Sequence, residues 1–600
     1  MAIEIPGSGP AAVWQAGRVP DTDRRPAPGA DDGFVRDRAL ERLAAERFDV
    51  VVVGGGITGA GVALDAASRG LRTALVEKDD FASGTSSRSS KLVHGGLRYL
   101  QQREVRLVYE SLAERQRLLD NAPHLVKPLP FLIPLFGRNG VVSKTVARSY
   151  ATALWLYDLT GGLRIGKRHR RVTKAEALAH LPTLNTDHLV AGFLYFDAQA
   201  DDARLTLAVV RTAVLDHGAV AVNHAPAVGF LVGEGGRVEG VSVRPAGAGG
   251  AEIAVRGAVV VNATGVWADD VRALDEGAHP RSLRPAKGVH VTVEASRLPA
   301  DIAAVIPVPG DRRSIFAVPW PEGGLVYLGT TDTDYDGALD DPVCTPEDVD
   351  YLLGAVNAVT TSALTRADVT GVWAGLRPLL APHHGHHQSA RTADLSRRHT
   401  VRTSPHGVVT VTGGKLTTYR KMAEDTMAAV VRLLPKEGGA GGCVTRGLAL
   451  RGAPRRAAAA PPPHVAGVGL LAHLAARYGT EADQVLAVAE GRPELLEPVV
   501  DGLPYLGCEV IYAARAEMAT TLDDVLSRRT RAVLERARET AAAAPRVAEL
   551  LAPELGWTPQ EAAAEAAAFT RAALGGLAAA GLVADGDGGP SVPGTPGTSR

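Results

Sequence analysis

Apolar positions along the chain fall into three kinds of run. Val50 to Val53 form a continuous β-branched block, the pattern of a strand buried on both faces of a parallel sheet. A glycine-rich turn follows, then an Ala- and Val-rich helix ending near Gly70, then a second apolar strand, Thr73 to Val76. The buried-strand pattern returns in "GAVVVNATGVWADDV" (Gly257 to Val271) and again in "GVVTVTGGKLTTYRKMAEDTMAAVV" (Gly407 to Val431), which breaks at two glycines and enters a helix. Between these pieces, "HVTVEA", "SIFAVPW" and "GLVYLGTTD" read as strands of a mixed sheet. After the Gly/Ala/Pro-rich "KEGGAGGCVTRGLALRGAPRRAAAAPPPH" the pattern turns Ala-rich and helical, and Thr521-x-x-Asp524 gives one helix a capping-box-like start.

Composition narrows the function classes. At 600 residues the chain exceeds a single core and predicts two to four domains. Its 65 basic and 66 acidic residues nearly cancel, so there is no basic excess for nucleic acid, and 5% aromatics offer little for base stacking. Cys344, Cys443 and Cys508 are far apart and unpaired in spacing, which suits a reduced, cytoplasmic protein without a disulfide or metal framework. "HHGHH" (His383 to His387) has no acidic or Cys partner nearby and reads as a solvated loop, so no metal is predicted. The Pro-, Gly- and Asp-rich start reads as a disordered extension over residues 1–47, neither signal peptide nor anchor, and no run reaches the roughly 18 apolar residues of a spanning helix.

The glycines after the first strand carry the first chemistry. Gly54, Gly56 and Gly59 make G-x-G-x-x-G between strand and helix, and Glu77 closes the second strand about twenty residues on. The glycines allow close backbone approach, the helix N-terminus offers free N–H groups to a pyrophosphate, and Glu77 can accept from ribose hydroxyls. Two later returns to the same fold, at Ala263-Thr264-Gly265 and at Gly413-Gly414, favour FAD over NAD as the cofactor. A long dinucleotide spans the sheet, and the helix after Gly414, with Lys415 and Leu416 at its start, can point its positive end at the flavin.

"SSRSSKLVHGGLRYLQ" (Ser86 to Gln101) follows the second strand and can fold back over that cofactor. Ser86, Ser87, Ser89 and Ser90 can bond phosphate and ribitol oxygens, Gly95 and Gly96 let backbone lie against the flavin, and His94, Lys91, Arg98 and Tyr99 are left to face flavin or substrate. A helix from about Gln102, with Val105, Val108 and Leu112 on one face, anchors the loop. The stretch closely resembles the motif of the FAD-dependent glycerol-3-phosphate dehydrogenases, in the amine-oxidase-like flavoprotein superfamily. The resemblance continues in order through "DDARL", "NATGVWAD", "KGVH", "GTTDTDY", "GLRPL", "SRRH" and "GGKLTTYRKMAE", from about Phe48 to the helix after Tyr419, and more weakly beyond.

The resemblance implies an α/β fold: a Rossmann-like FAD-binding domain, a mixed-sheet substrate cap and a C-terminal α-helical domain. The expected division is an oxidoreductase region over 48–435, with FAD-binding pieces at about 48–130, 196–283 and 373–435 and cap pieces at about 131–195 and 284–372. A linker over 436–464, a helical domain over 465–582 and a flexible tail over 583–600 complete it.

The arginines point to an anionic substrate. Arg98 and Arg377 sit in glycine-flanked loops and Arg397 in a polar loop, and a guanidinium fork suits phosphate. By the resemblance, Arg98, Tyr99, Arg377 and Arg397 hold the phosphate and hydroxyls of sn-glycerol 3-phosphate, whose C2 hydride passes to flavin N5 to give dihydroxyacetone phosphate, the electrons going on to a quinone. His94 is the first candidate base, Lys415 the second and Lys287, from the cap, the third. Arg377 counts with His94 and Lys415 among the catalytic set. Oxygen as acceptor, an amine oxidase and a flavin-binding sensor stay open as alternatives. The C-terminal helices could serve homodimer contacts, membrane docking on the inner face or stability.

Overall fold

In the computed structural model, described over residues 34–97, 99, 104–137, 144–247, 249–311, 313–320, 323–381, 398–435, 439–454 and 469–582, the strand Arg47–Val53 lies at the centre of an eight-stranded sheet. Val50, Val51 and Val52 are fully buried, as a block apolar on both faces requires. Thr73–Val76 pairs parallel on one side and Ile253–Asn262 parallel on the other. Val409–Gly413 then lies parallel to Ile253–Asn262 and antiparallel to His399–Thr403, while Val220–Val222 flanks Thr73–Val76. The helix Ile57–Ser68 packs against Asp202–Leu215 and Tyr419–Leu433, so chain segments far apart in sequence share one core.

A second, ten-stranded sheet holds the strands read as "HVTVEA", "SIFAVPW" and "GLVYLGTTD", now Ala286–Glu294, Ser314–Trp320 and Leu325–Gly329, paired antiparallel. Val369–Arg377 pairs along Ala286–Glu294 and delivers Arg377 to the sheet's end.

Three expectations need correction. The disorder expected to residue 47 stops short: Arg36–Ala45 is a helix with Ala39 and Leu43 buried, and the Phe34 ring lies 5.8 Å from Phe81. The Pro/Gly composition upstream masks this short i, i+4 apolar pair; residues 1–33, like 583–600, lie outside the described residues. The helix after the motif loop runs Val105–Asn121 and buries Val108, Leu112 and Leu118, whereas Val105 is exposed. The segment expected as linker packs where it is described: Leu450 is buried and its N–H donates to Asn121 O at 2.9 Å.

The C-terminal helices include Gly507–Glu517, Ala537–Leu555 and Pro559–Ala579. Thr521 and Asp524 do cap each other, both bonds at 3.1 Å, but they open a six-residue π-helix, Asp524–Arg529. These helices seat on the second sheet, where Thr292 Oγ1 donates to Leu534 O at 2.8 Å. Among the described residues no helix is long and apolar enough to cross a membrane.

Candidate functional site

A cavity of about 420 Å³ opens at the C-terminal ends of the parallel strands, where an open α/β sheet places its ligand. Gly54, Gly56–Thr58, Glu77, Ala263–Gly265 and Gly413–Leu416 line it, together with Ser83–Ser86 and Ser89 of the motif loop. The glycines are there for approach. A Cβ on Gly59 would lie 1.9 Å from Gly54 O, and one on Gly54 (φ +107°) would lie 2.8 Å from Ala263 O. Glu77 accepts from Gly55 N–H at 2.5 Å and Asp79 N–H at 2.9 Å, which splints the glycine turn. Burial pushes its carboxyl above the usual range, with those two amides opposing.

Ser86 Oγ accepts from Ile57 N–H at 2.9 Å, occupying the first free donor of the helix Ile57–Ser68 while its own hydroxyl stays available at the cavity wall. Trp267 also lines the cavity, under the Lys78 ammonium at 4.2 Å, and its buried indole N–H has no hydrogen-bond partner among the described residues. Glycine-floored backbone, splinted turn and a buried free donor fit an extended dinucleotide such as FAD.

A second cavity, about 160 Å³, is contiguous with the first through Thr85, Ser89 and Gly413–Leu416. His94, Tyr99, Arg377, Ser90 and His290 line it. Arg377 is held on its wall by Thr330 Oγ1 at 3.1 Å, Thr331 O at 3.2 Å and Asp332 Oδ1 at 3.3 Å. His94 N–H donates to Thr417 Oγ1 at 3.1 Å, tying the motif loop to the turn that follows Lys415. Gly414 (φ +86°) makes that turn, and a Cβ there would strike Met422. Leu416 and Gly265 stand on the cavity walls. Arg98 and Arg397, like the "HHGHH" tract, lie outside the described residues.

Four expected contacts go elsewhere. Ser87 is buried away from both cavities, its carbonyl taking bonds from Arg531 and, at 3.4 Å, Lys91. Gly95 donates its N–H to Tyr157 Oη at 3.0 Å, and a Cβ there would meet Leu112 at 2.5 Å, so it makes room for a helix rather than a flavin. Lys91 is buried against Asp202 at 3.2 Å, and burial foremost, with Arg531 beside it, brings its ammonium down to about 8.

Lys287 is the clearest correction. Its Nζ donates to Asp348 at 2.7 Å and Val343 O at 3.1 Å, bracing the start of the helix Pro346–Asn357. Strand alternation explains it: Lys287 shares a face with Val289 and Val291, which point to that helix, whereas His290 points to the site. His290 is the residue that sequence reasoning missed, although it stands in the quoted "KGVH". Its ring stacks on Trp373 at 4.7 Å and shares a 2.9 Å hydrogen bond with Ser90 Oγ. Burial, then the charges of Lys91 and Arg377, hold it well below the ordinary histidine value, so it is neutral.

Comparison with known proteins agrees with this geometry. Residues 49–420 match the family model "FAD dependent oxidoreductase", and residues 443–562 match "C-terminal domain of alpha-glycerophosphate oxidase". Glycerol-3-phosphate dehydrogenase 2 of Mycobacterium tuberculosis is 45% identical over 539 residues, covering 88% of this chain and 89% of that protein. The human mitochondrial glycerol-3-phosphate dehydrogenase is 38% identical over 531 residues, 85% of this chain and 71% of that protein. The crystal structure of the Bacillus halodurans glycerol-3-phosphate dehydrogenase, complexed with FAD, superposes with a TM-score of 0.69 at 31% identity, covering 92% of this chain and 99% of that one.

Proposed function

The chain belongs to the FAD-dependent glycerol-3-phosphate dehydrogenase family, and from that membership we propose that it oxidises sn-glycerol 3-phosphate to dihydroxyacetone phosphate. The lining of the larger cavity would hold FAD, which when bound would supply the acceptor for the hydride leaving carbon 2. The remaining work falls to side chains of the smaller cavity. Arg377 offers its guanidinium to the phosphate, in a setting pre-ordered by three oxygen acceptors. His94, half-buried at the cavity wall, takes the hydroxyl proton. Lys415 sets a fixed positive charge where the two cavities meet, favouring electron density arriving there. Neutral His290 can accept from Ser90 and so keep that hydroxyl oriented.

One observation carries the reading: a cation-lined pocket for a small anion opens directly into a dinucleotide cleft. Anaerobic addition of sn-glycerol 3-phosphate to the FAD-loaded protein should bleach the flavin band. A band unchanged at saturating substrate would remove the reading.

For the acceptor we favour a membrane quinone over oxygen. The helices Val105–Asn121 and Lys144–Leu159 expose Tyr109, Trp155 and Leu159, the last two on adjacent turns. The stretch 144–171 carries seven Lys or Arg against one Asp, in a chain of net charge −1, and Arg164 lies 4.9 Å over the Tyr109 ring. Exposed apolar side chains on a locally basic stretch suit an anionic bilayer surface. Anionic vesicles should raise the rate with a long-chain quinone; stoichiometric peroxide in air, with no effect of lipid, favours oxygen.

A further inference from the structure

The motif loop is held from behind by a part of the chain more than 400 residues away. Between Asp80 and Lys91 its members facing the larger cavity are Ser83–Ser86 and Ser89, while Arg88 and Ser90 face the smaller one. At its start, Arg529 grips Asp80 with both nitrogens, Nη1 to Oδ2 at 2.5 Å and Nη2 to Oδ1 at 2.9 Å, and Arg528 Nε adds a bond at 2.6 Å. From there the link to the glycine turn is direct, since Ala82 N–H donates to Gly55 O at 3.1 Å. At its far end, Arg531 donates to Ser87 O and, at 3.0 Å, to Asp202 Oδ1. Asp202 in turn accepts from Ser89 N–H at 2.9 Å and from Ser89 Oγ at 2.7 Å.

None of Asp80, Ser87, Asp202, Arg529 or Arg531 lines either cavity, and all five are buried. The carboxylates of Asp80 and Asp524, with His224, bring possible metal ligands within 4.8 Å of one another, but the Arg528 fork bonds both acids, so the cluster is an ionic latch. The backbone is shaped for it. The π-turn widens the helix at Asp524–Arg529, so neighbours 528 and 529 both reach Asp80, and Arg531 then adopts φ +79°, which a side chain rarely tolerates.

We infer that the C-terminal helical domain is a working part of the cofactor site: Arg529 and Arg531 are positioning residues that fix loop 80–91, so retention of the dinucleotide depends on that domain. The inference rests on FAD as occupant of the larger cavity. It assigns the C-terminal domain a task that reaches the cavity wall through two hydrogen-bonded steps, arginine to Asp202 to Ser89.

The test is FAD release from the holoenzyme after dilution, followed by the rise of free flavin fluorescence, with visible circular dichroism of the bound flavin alongside. Arg531→Gln should release FAD at least tenfold faster and alter the flavin dichroism, and Arg531→Lys should fall between it and the parent. Arg515→Gln, which removes an exposed pair with Glu554 inside the same domain, should stay within twofold of the parent. Release from Arg531→Gln at the parental rate, or equal acceleration by Arg515→Gln, overturns the inference. Should the Arg531 variants fail to fold, urea on the parent holoenzyme decides. FAD release and amide exchange of Ala537–Leu555 should share one midpoint, and flavin retained after that helix has opened overturns the inference. A parent protein that binds no FAD would instead defeat the proposed function.

Discussion

Lys415 Nζ lies 3.9 Å from the centroid of the Tyr99 ring, a cation over an aromatic face at the wall common to both cavities. The same ammonium donates to Ser111 Oγ at 3.3 Å, so it is held between the motif loop and the helix behind it. Such a placement suits a fixed charge better than a group that must lose its proton. We therefore expect His94→Ala to lower the limiting rate of flavin reduction by roughly 10²–10⁴, with substrate affinity close to the parent. Rapid mixing over a range of substrate concentrations measures both. A parental limiting rate in that variant transfers proton acceptance to Lys415.

Arg377→Ala should act on binding instead. A charge-assisted bond is worth roughly 1.5–3 kcal/mol, so kcat/KM should fall about ten- to a hundredfold or more, with the loss concentrated in affinity. Unchanged affinity for sn-glycerol 3-phosphate would take the phosphate away from this residue.

Lys287→Met tests the structural role of the Lys287–Asp348 pair. Lys287 and Asp348 are both buried, and removing one partner of such a pair leaves an uncompensated charge that costs on the order of 3–5 kcal/mol. The variant should melt several degrees lower and, at temperatures where it is folded, keep its KM. A raised KM with an unchanged melting point would return Lys287 to the substrate.

How far the sequence spoke depended on whether a signal was local. The buried strand before Gly54, the glycine turn, Glu77 and the strand Ser314–Trp320 announce themselves within a few residues. The direction in which a single side chain points did not, because it is fixed by partners distant in the chain. Lys287 and His290 stand three apart on one strand, and nothing in "KGVH" says which face meets the cavity. Lys91 and Gly95 sit in a loop dense with polar groups, yet Asp202 and Tyr157 claim them. The tie from Arg531 to Ser87 spans 444 positions and leaves no periodic trace.

His124 gives a pH prediction. Burial foremost, with Arg204 and Lys127 nearby, lowers its imidazole from 6.5 to about 4, Glu481 opposing. Between those values the unfolded chain takes up a proton that the folded one refuses, so stability falls as pH drops from 6.5 towards 4. His124→Gln should flatten that part of the melting-temperature profile. An identical pH slope in parent and variant would assign the acid sensitivity to other groups.

Gly56→Val should leave a largely apo protein, because a side chain there projects into the cleft beside Ser86 Oγ, 3.1 Å from the Cβ position. Bound-flavin absorbance after purification measures it, and full occupancy would contradict the assignment.

The parallel pairing of Val409–Gly413 with Ile253–Asn262 has a consequence for the nascent chain. When the ribosome has released only the first 400 residues, Val238–Val243 covers the start of Ile253–Asn262, but the end at Val261 and Asn262 presents an unpaired edge whose neighbour Val409–Gly413 is still unmade. That partner arrives later, followed by arginines 528–531, so the cofactor cleft closes only near the end of synthesis. Chains that stall or terminate between those points carry a sticky strand and an unbraced glycine turn, which makes them natural clients for chaperones and proteases rather than partial enzymes.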